Sequence, residues 1–296
     1  MFELLDLPGG RRIAYEVSGK RDGRPVFLHH GTPGSGDGPK PRHSILYRHG
    51  VRLIAYCRPG YGESGRHRGR TVGQAAADVA ALADALGLDT FAVLGRSGGG
   101  PHALACAALL ADRVTRVAAL VSLAPHDAVG LDWYGDMVPF NRRAWRAAAL
   151  DEELITEQLR LRVRRVQEDP NHLLSMLRED MPPADLRVVE DMTIERQLLR
   201  TYAVGLGGGP YGWIDDLLAL RSDWGFRLDA IRAPVRLWHG ADDRFAPVAH
   251  TRWLAEHIPG AQLEIEHGIG HFGALRVMPR MIRWLTDTGA TPSAAA

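Results

Sequence analysis

The chain has 296 residues, of which 45% are hydrophobic and 24% are charged, and its formal net charge is +1. This balance is typical of one ordinary globular domain, or of one domain that carries an insertion. The small net charge gives no reason to expect a nucleic acid or an acidic membrane as partner. The longest apolar stretches are also too short to span a bilayer.

The two cysteines and the N-terminal residues give information on the cellular compartment of the protein. Cys57 and Cys106 are far apart and show no spacing of a disulfide framework or a metal site, so we expect buried free thiols. The N-terminal sequence reaches Glu3 and Asp6 without a basic segment followed by an apolar one, so no secretory signal is visible. We therefore expect a cytoplasmic protein.

Short apolar runs alternate with glycine-rich turns and helical periodicity in the first 124 residues. Strands are predicted at 12–17, 26–30, 51–56, 91–94 and 114–123. Helices are predicted at 71–86, with Thr71 as N-cap, and at 98–110. Such alternation predicts a parallel sheet with helices on both faces.

The pattern changes at residue 125. No convincing strand occurs up to residue 223, and the segment is typical of amphipathic helices, most clearly at 150–166 and 188–199. Alternation then resumes, with strands predicted at 235–239 and 262–266 and helices at 248–257 and 272–284. We predict an α/β core over 1–124 and 226–296, built on a mostly parallel eight-stranded sheet. A helical cap, or lid, over 125–225 would be inserted after the sixth strand, and the tail 288–296 would be frayed.

A candidate nucleophile lies between a predicted strand and a predicted helix. The sequence GRSGG at 95–99 has the pattern G-x-S-x-G, which forces the serine onto a sharp turn where flanking glycines leave room for the backbone. That turn exposes the hydroxyl of Ser97 above the sheet edge, at the positive end of the following helix. A glycine-rich turn with an incidental serine is the alternative, and the strand-to-helix position favours the nucleophile.

Serine is a weak nucleophile unless a base takes its proton, and that base must be held in one tautomer. His271 follows the predicted strand 262–266, and Asp243 follows the strand 235–239, with Asp242 as the alternative acid. Acids and bases after parallel strands lie at the edge where α/β sheets place their sites. Ser97, Asp243 and His271 also occur in the chain order of this catalytic arrangement.

Two backbone N–H groups are predicted to stabilise an oxyanion. One belongs to Gly98, directly after the candidate nucleophile, and the other to Thr32, in the turn after the strand 26–30. Pro33, the next residue, has no N–H to offer. We interpret His29 and His30 as structural histidines that local hydrogen bonds satisfy, because a histidine near a strand end is weak evidence of catalysis.

Five segments are similar to motifs of the α/β-hydrolase superfamily, in particular of its lid-bearing esterase, epoxide hydrolase and proline iminopeptidase branch. They are HGTPG at 30–34, RPGYGES at 58–64, GRSGGG at 95–100, HGADDRFAP at 239–247 and GIGHF at 268–272. They span most of the chain outside the cap, in the order of the family. The family acid stands three residues after the glycine and four before the proline of the fourth segment, which implies Asp243. Cys57 replaces the usual aspartate before RPGYG, a change that bears on local hydrogen bonding; a nucleophilic Cys57 is disfavoured, since no motif places a histidine beside it.

The resemblance implies a serine hydrolase. We expect no metal or organic cofactor, because the histidines show no ligand spacing and the glycine-rich stretches match catalytic turns better than phosphate loops. A serine at position 97 disfavours dehalogenase and epoxide hydrolase chemistry, for which the resembling enzymes carry aspartate. We predict hydrolysis of a small-molecule carboxylic ester, or a related acyl substrate, through an acyl-enzyme. A proline iminopeptidase-like aminopeptidase, a cofactor-free perhydrolase or haloperoxidase, a C–C bond hydrolase on the same triad and a non-catalytic ligand-binding protein stay open. A homodimer is also left open.

The cap contains aromatic, methionine and acidic residues that bear on the substrate. The aromatic residues predicted to contact it are Trp133, Tyr211 and Trp213. The methionines, which suit either an apolar substrate or the packing of the cap, are Met137, Met176, Met181 and Met192. The acidic residues, interpreted as a solvated helix face in preference to receptors for a substrate amine, are Asp191, Glu195, Asp215 and Asp216.

Overall fold

The computed structural model describes residues 2–287, so the tail 288–296 predicted to fray lies outside it. Within this range one sheet has the strand order β1-β2-β4-β3-β5-β6-β7-β8. The strands are β1 (Glu3–Asp6), β2 (Arg12–Gly19), β3 (Arg24–His29), β4 (Val51–Tyr56), β5 (Phe91–Arg96), β6 (Val114–Leu120), β7 (Val235–Gly240) and β8 (Gln262–Glu266). β2 runs antiparallel to β1 and β4, and the other pairs are parallel. The predicted mostly parallel, eight-stranded sheet is confirmed.

The central strands are buried on both faces because helices cover the sheet. Every residue of β5, with the sequence FAVLGR, is buried, as expected of a parallel strand with helices above and below. Helix α3 (Gly99–Leu109) packs on β3, β5 and β6, and helix α11 (Ala274–Leu285) packs on β5, β6 and β7. By contrast, β1 is largely exposed, and its sequence ELLD does not alternate between apolar and polar residues. The sequence analysis therefore did not predict this strand.

Two of the remaining helices lie in the first third of the chain, and the others follow β6. They are α1 (His43–Arg48), α2 (Ala75–Ala85), α4 (Pro139–Leu150), α5 (Glu152–Glu168), α6 (Asn171–Glu179), α7 (Pro183–Val189), α8 (Met192–Gly207), α9 (Tyr211–Arg221) and α10 (Val248–His257). Helices α4–α9 all lie between β6 and β7 and are termed the helical block below. No helix in the described range is long and apolar enough to cross a bilayer.

Three predicted helix boundaries are wrong. Thr71 is not an N-cap, because α2 begins at Ala75 and the Thr71 N–H bonds the side chain of Gln74. The helix predicted at 188–199 is broken, since Asp191 accepts hydrogen bonds from two following N–H groups and starts α8 there. The last helix begins after a short 3-10 turn at His271–Gly273.

Candidate active site

The predicted site residues meet at one edge of the sheet. Ser97 directly follows β5, Asp243 follows β7 and His271 follows β8, while Thr32 lies just beyond β3. Because β3, β5, β6, β7 and β8 are mutually parallel, their carboxyl ends share this edge. The strand topology therefore brings together four loops that are far apart in sequence.

Ser97 has a backbone conformation that most residues avoid. Its φ is 56°, in the left-handed region, where a non-glycine residue persists only if its surroundings hold it. Here the Ser97 N–H donates to the Leu120 carbonyl at 2.9 Å, and its own carbonyl accepts from the Gly100 N–H at 2.8 Å. A Cβ added to Gly95 would overlap the backbone carbonyl of Gly99, so the tight turn needs glycine there. This is the strand-to-helix geometry expected of a nucleophilic serine.

His271 and Asp243 form a buried pair. The His271 Nδ1 lies 2.7 Å from Asp243 Oδ2, while Asp243 Oδ1 accepts from the N–H groups of Phe245 (2.8 Å) and Ala246 (2.9 Å). Burial would raise the pKa of Asp243, but the neighbouring His271, together with hydrogen bonds from His271 and from His239 at the end of β7, holds that pKa well below its ordinary value. Asp242, the alternative acid, is exposed, so the geometry places Asp243 beside the imidazole.

A second histidine, which the sequence analysis did not single out, supports the same carboxylate. His239 is fully buried at the end of β7, with its Nε2 3.1 Å from Asp243 Oδ2 and 2.6 Å from the Ala246 carbonyl. Its Nδ1 lies 2.6 Å from Thr251 Oγ1. The only sequence signal was its place directly before the glycine of HGADD. Asp243 is thus held in position from both sides.

A second buried carboxylate stands near His271. Asp185, on α7, accepts a 2.7 Å hydrogen bond from the Phe272 N–H, and its Oδ2 has no hydrogen-bond partner within the described chain. Burial, more than the nearby charge of Asp243, raises its pKa to about 6, against the opposing effect of His271. Asp185 therefore connects the helical block to the segment that carries His271.

A cavity lies over Ser97 between the sheet edge and the helical block. Its polar lining residues are Thr32, Arg96, Ser97, Asn141, Tyr202 and His271. Its apolar walls are formed by Leu123, Phe140, Ala144, Trp145, Leu173, Leu177, Trp213, Leu217, Phe245, Ala246 and Phe272. A mostly apolar cavity with a few convergent polar groups is the usual form of a small-molecule site.

Ser97 and His271 both line this cavity. The hydrogen bonds described for residues 2–287 include the His271–Asp243 pair but none between the Ser97 hydroxyl and His271. Such bonds are often long in an empty enzyme and tighten when substrate binds. The structure thus brings the serine into the same cavity as the histidine, without a formed bond between them.

The two predicted oxyanion donors are adjacent. Gly98 and Thr32 both line the cavity, and a Cβ added to Gly98 would lie 3.4 Å from the Thr32 nitrogen. Neither N–H donates to a protein acceptor among the hydrogen bonds described. Two unused, neighbouring N–H groups at the rim of a cavity suit the binding of a developing negative oxygen.

Only one of the three aromatic residues predicted to contact substrate lines the cavity. Trp213 does so, whereas Tyr211, two positions earlier on α9 and so on the opposite helix face, packs under the Arg66 guanidinium at 4.3 Å. Trp133 is a packing residue, because its ring N–H donates to the Ala124 carbonyl at 3.0 Å and its ring meets Trp145 edge-on. None of the four methionines lines the cavity either.

The interpretation of the acidic residues as a solvated face is wrong for Asp215, which is buried, and for Asp216, which is fully buried. The Asp216 carboxylate accepts hydrogen bonds from Arg58 (2.6 and 3.2 Å), Arg70 (2.5 Å), Tyr61 (2.9 Å) and the Thr32 hydroxyl (2.5 Å). Burial opposes ionisation, but the two guanidinium groups hold the pKa of Asp216 well below its ordinary value. Arg58 also donates to the carbonyl oxygens just before Thr32, so this cluster ties α9 to the predicted oxyanion loop.

The other acidic residues are also engaged by the protein itself. Asp215 is buried and accepts two hydrogen bonds from Arg66, at 2.9 and 3.0 Å. Glu195 pairs with Arg178 at 2.6 Å, and Asp191 caps α8. None of the four lines the cavity, so they do not form a receptor for a substrate amine there.

His29, His30 and the two cysteines are enclosed or hydrogen-bonded by the protein itself. His29 Nδ1 lies 3.2 Å from the Tyr56 hydroxyl, and burial lowers the pKa of His29 to about 3. His30 Nδ1 lies 2.7 Å from the Gly31 carbonyl, which is the local hydrogen bond expected of a structural histidine. Cys57 is a buried free thiol whose pKa burial raises to about 12, which argues against a nucleophilic thiolate. Cys106 is likewise buried and free.

Comparison with known proteins identifies the family. The family model described as the alpha/beta hydrolase fold matches residues 24–275. The chain belongs to the α/β-hydrolase family. This α/β-hydrolase is 31% identical over 280 residues to a non-heme chloroperoxidase of Streptomyces lividans, covering 92% of this chain and 94% of that protein. It is 27% identical over 244 residues to a bifunctional esterase/perhydrolase of Acinetobacter calcoaceticus, covering 80% and 81%.

Solved structures agree on the fold of this α/β-hydrolase. A bromoperoxidase from Bacillus anthracis superposes with a TM-score of 0.72 at 22% identity, covering 97% of this chain and 100% of that one. An enol-lactonase from Burkholderia xenovorans gives a TM-score of 0.69 at 19% identity, covering 96% and 100%. The resemblance inferred from the five motifs is confirmed.

Proposed function

We propose that this α/β-hydrolase cleaves a small carboxylic ester, or a related acyl substrate, through a Ser97–His271–Asp243 triad. The observation that carries the proposal is that Asp243 orients His271 at 2.7 Å in the cavity that also exposes the strained Ser97. Membership of the family and relatives named as esterases support hydrolysis. The mostly apolar walls of the cavity favour a small organic substrate.

The mechanism follows from the roles of these groups. The Nε2 of His271 takes the proton of Ser97 as the serine oxygen attacks the ester carbonyl, and Asp243 stabilises the imidazolium that forms. The N–H groups of Gly98 and Thr32 bind the oxyanion. Collapse of the tetrahedral intermediate expels the alcohol, which receives the proton from His271. Water then attacks the acyl-enzyme in the same way and releases the acid.

The test is hydrolysis of p-nitrophenyl esters of increasing chain length by purified Ser97→Ala protein. We expect kcat/KM to fall by roughly 10⁴-fold or more, because the serine provides the covalent step. Ser222→Ala is the matched control, since Ser222 follows the last residue of α9 and its exposed hydroxyl donates to the Leu218 carbonyl. A fluorophosphonate probe should label wild type and Ser222→Ala but not Ser97→Ala. Undiminished hydrolysis by Ser97→Ala would refute the assignment.

Perhydrolysis is the second candidate. The relatives include proteins named non-heme chloroperoxidase and bifunctional esterase/perhydrolase. On the same triad, hydrogen peroxide would replace water in attacking the acyl-enzyme and would release a peracid. Bromination of monochlorodimedone in the presence of peroxide, acetate and bromide measures this reaction. Its loss in Ser97→Ala would support it, and a rate equal to that without enzyme would exclude it.

A further inference from the structure

Arg96 is a buried cation beside the proposed nucleophile. It occupies the variable position of G-x-S-x-G, is 8% exposed and lines the cavity together with Ser97. Its guanidinium lies against the loop after β3, because a Cβ added to Gly31 would fall 3.3 Å from Arg96 Nη2. A positive group therefore stands at the reaction centre of an otherwise mostly apolar cavity.

The charge of Arg96 has no counter-ion in the described part of the chain. The other two buried arginines, Arg58 and Arg70, both pair with the carboxylate of Asp216. The Arg96 guanidinium makes no side-chain hydrogen bond or ion pair with a described residue, and the charge of the neighbouring Arg58 repels it further. Burial lowers the pKa of Arg96, yet a guanidinium stays protonated in proteins.

Tyr202 is a polar neighbour of Arg96 in the cavity lining. It projects from α8, is 5% exposed, and lines the same cavity. Burial raises its pKa to about 12, so the hydroxyl remains a hydrogen-bond donor at neutral pH. Neither the Tyr202 hydroxyl nor the Arg96 guanidinium has a side-chain hydrogen-bond partner within residues 2–287. Two donors thus line the cavity without an acceptor in the described part of the chain.

A buried, unpaired guanidinium is strongly unfavourable unless an anion neutralises it. Resting on the function proposed above, we infer that Arg96 and Tyr202 form an anion subsite and that the substrate is a small ester bearing a free carboxylate. A guanidinium binds a planar carboxylate through two parallel N–H groups. A single positive charge also matches a singly charged carboxylate, whereas a phosphate dianion would bring excess negative charge into the apolar cavity.

The activity test compares matched anionic and neutral esters. One pair places the charge on the acyl side: p-nitrophenyl hydrogen glutarate and its methyl ester. The other places it on the alcohol side: 4-carboxyphenyl acetate and its methyl ester. In at least one pair we expect the anionic-to-neutral ratio of kcat/KM to fall by tenfold or more in Arg96→Met, with partial recovery in Arg96→Lys. Equal losses on both members of both pairs would overturn the subsite.

A binding measurement separates this inference from the hydrolase proposal. Calorimetric titration of Ser97→Ala protein with glutarate needs no turnover, and we expect binding that is lost in Ser97→Ala/Arg96→Met and weakened in Ser97→Ala/Tyr202→Phe. If Ser97→Ala binds glutarate but the wild-type protein hydrolyses no ester, only the hydrolase proposal is refuted. If the protein hydrolyses esters through Ser97 but does not bind glutarate, only the subsite is refuted. Tighter binding of inorganic phosphate than of glutarate would have the same consequence.

The stability of the empty protein gives an independent readout. Because Arg96 has no counter-ion to lose, we expect Arg96→Met to leave the Tm unchanged or raise it. Arg70→Met is the matched comparison, since it removes one of the two cations paired with Asp216, and we expect it to lower the Tm. A Tm loss in Arg96→Met as large as that in Arg70→Met would show that Arg96 is a structural residue, against the inference.

Discussion

Replacing Asp216 by alanine removes the shared anion of a buried cluster. Asp216 on α9 is the counter-ion of both Arg58 and Arg70, and all three side chains are buried. The alanine leaves two buried guanidinium groups without their carboxylate counter-ion. It also removes the acceptor of the Tyr61 and Thr32 hydroxyl groups. We therefore expect a large loss of folding stability.

The size of the loss follows from the contacts. Removing one partner of a single buried ion pair destabilises a protein by about 3–5 kcal/mol. Asp216 serves two cations at once, so we expect the upper end, about 5 kcal/mol. For a chain of this size roughly 2 °C of Tm corresponds to each kcal/mol, which gives a Tm lower by roughly 10 °C. Asp216→Asn, which keeps the shape and one acceptor oxygen, should fall between alanine and wild type.

Urea and thermal unfolding, followed by circular dichroism, measure this loss. The matched control is Asp229→Ala, which removes the carboxylate of an exposed pair with Arg227, and we expect no measurable change there. If Asp216→Ala unfolds at the same urea concentration and Tm as Asp229→Ala, the reasoning about the cluster is refuted. Because Thr32 is attached to the cluster, esterase activity of the folded Asp216→Asn protein should also fall.

Two further predictions concern pH and the oxyanion donors. Burial lowers the pKa of His250 from 6.5 to about 4, so its contribution to stability is complete above pH 6.5 and decreases as pH falls towards 4; at pH 5 the loss is about 2 kcal/mol. Urea unfolding at pH 7.5 and 5 should show a smaller difference in His250→Gln than in wild type, and an equal difference would contradict this. A methyl group on Gly98 would lie 2.8 Å from the Thr32 Cβ, so Gly98→Ala should lower kcat about 100-fold. Gly207→Ala, which meets nothing within 4 Å, should keep wild-type kcat, and equal kcat in the two variants would contradict the prediction.

The sheet and the position of the site were predictable because their signals are local. Apolar runs of strand length, and glycines at the strand ends, are visible without knowledge of the partner strands. The order of Ser97, Asp243 and His271 along the chain then favoured one particular α/β fold over the other α/β folds. The strand β1 lacked such a signal, since only one of its four residues is even half-buried.

The burial of Asp216 was not predictable in the same way. Its partners Arg58 and Arg70 are 158 and 146 residues away in sequence, and two adjacent acids on a helix usually face solvent. The neglected signal was that YGWIDDLLAL is apolar nearly all round, which is typical of a buried helix. Arg96 was overlooked because its motif position accepts any residue, so only the structure shows that its charge faces the cavity unpaired.

The helices over the cavity are attached to the rest of the protein in unequal ways. Polar contacts fasten α7 through Asp185 to Phe272 and α8 through Thr201 to Ser35, besides the α9 cluster. By contrast, α6 covers the cavity with leucines, and the side-chain hydrogen bonds described for it stay within the helical block. An outward movement of α6 would separate apolar surfaces and would not break a buried ion pair. Among α6–α9, α6 is therefore the helix that can move outward at the lowest electrostatic cost.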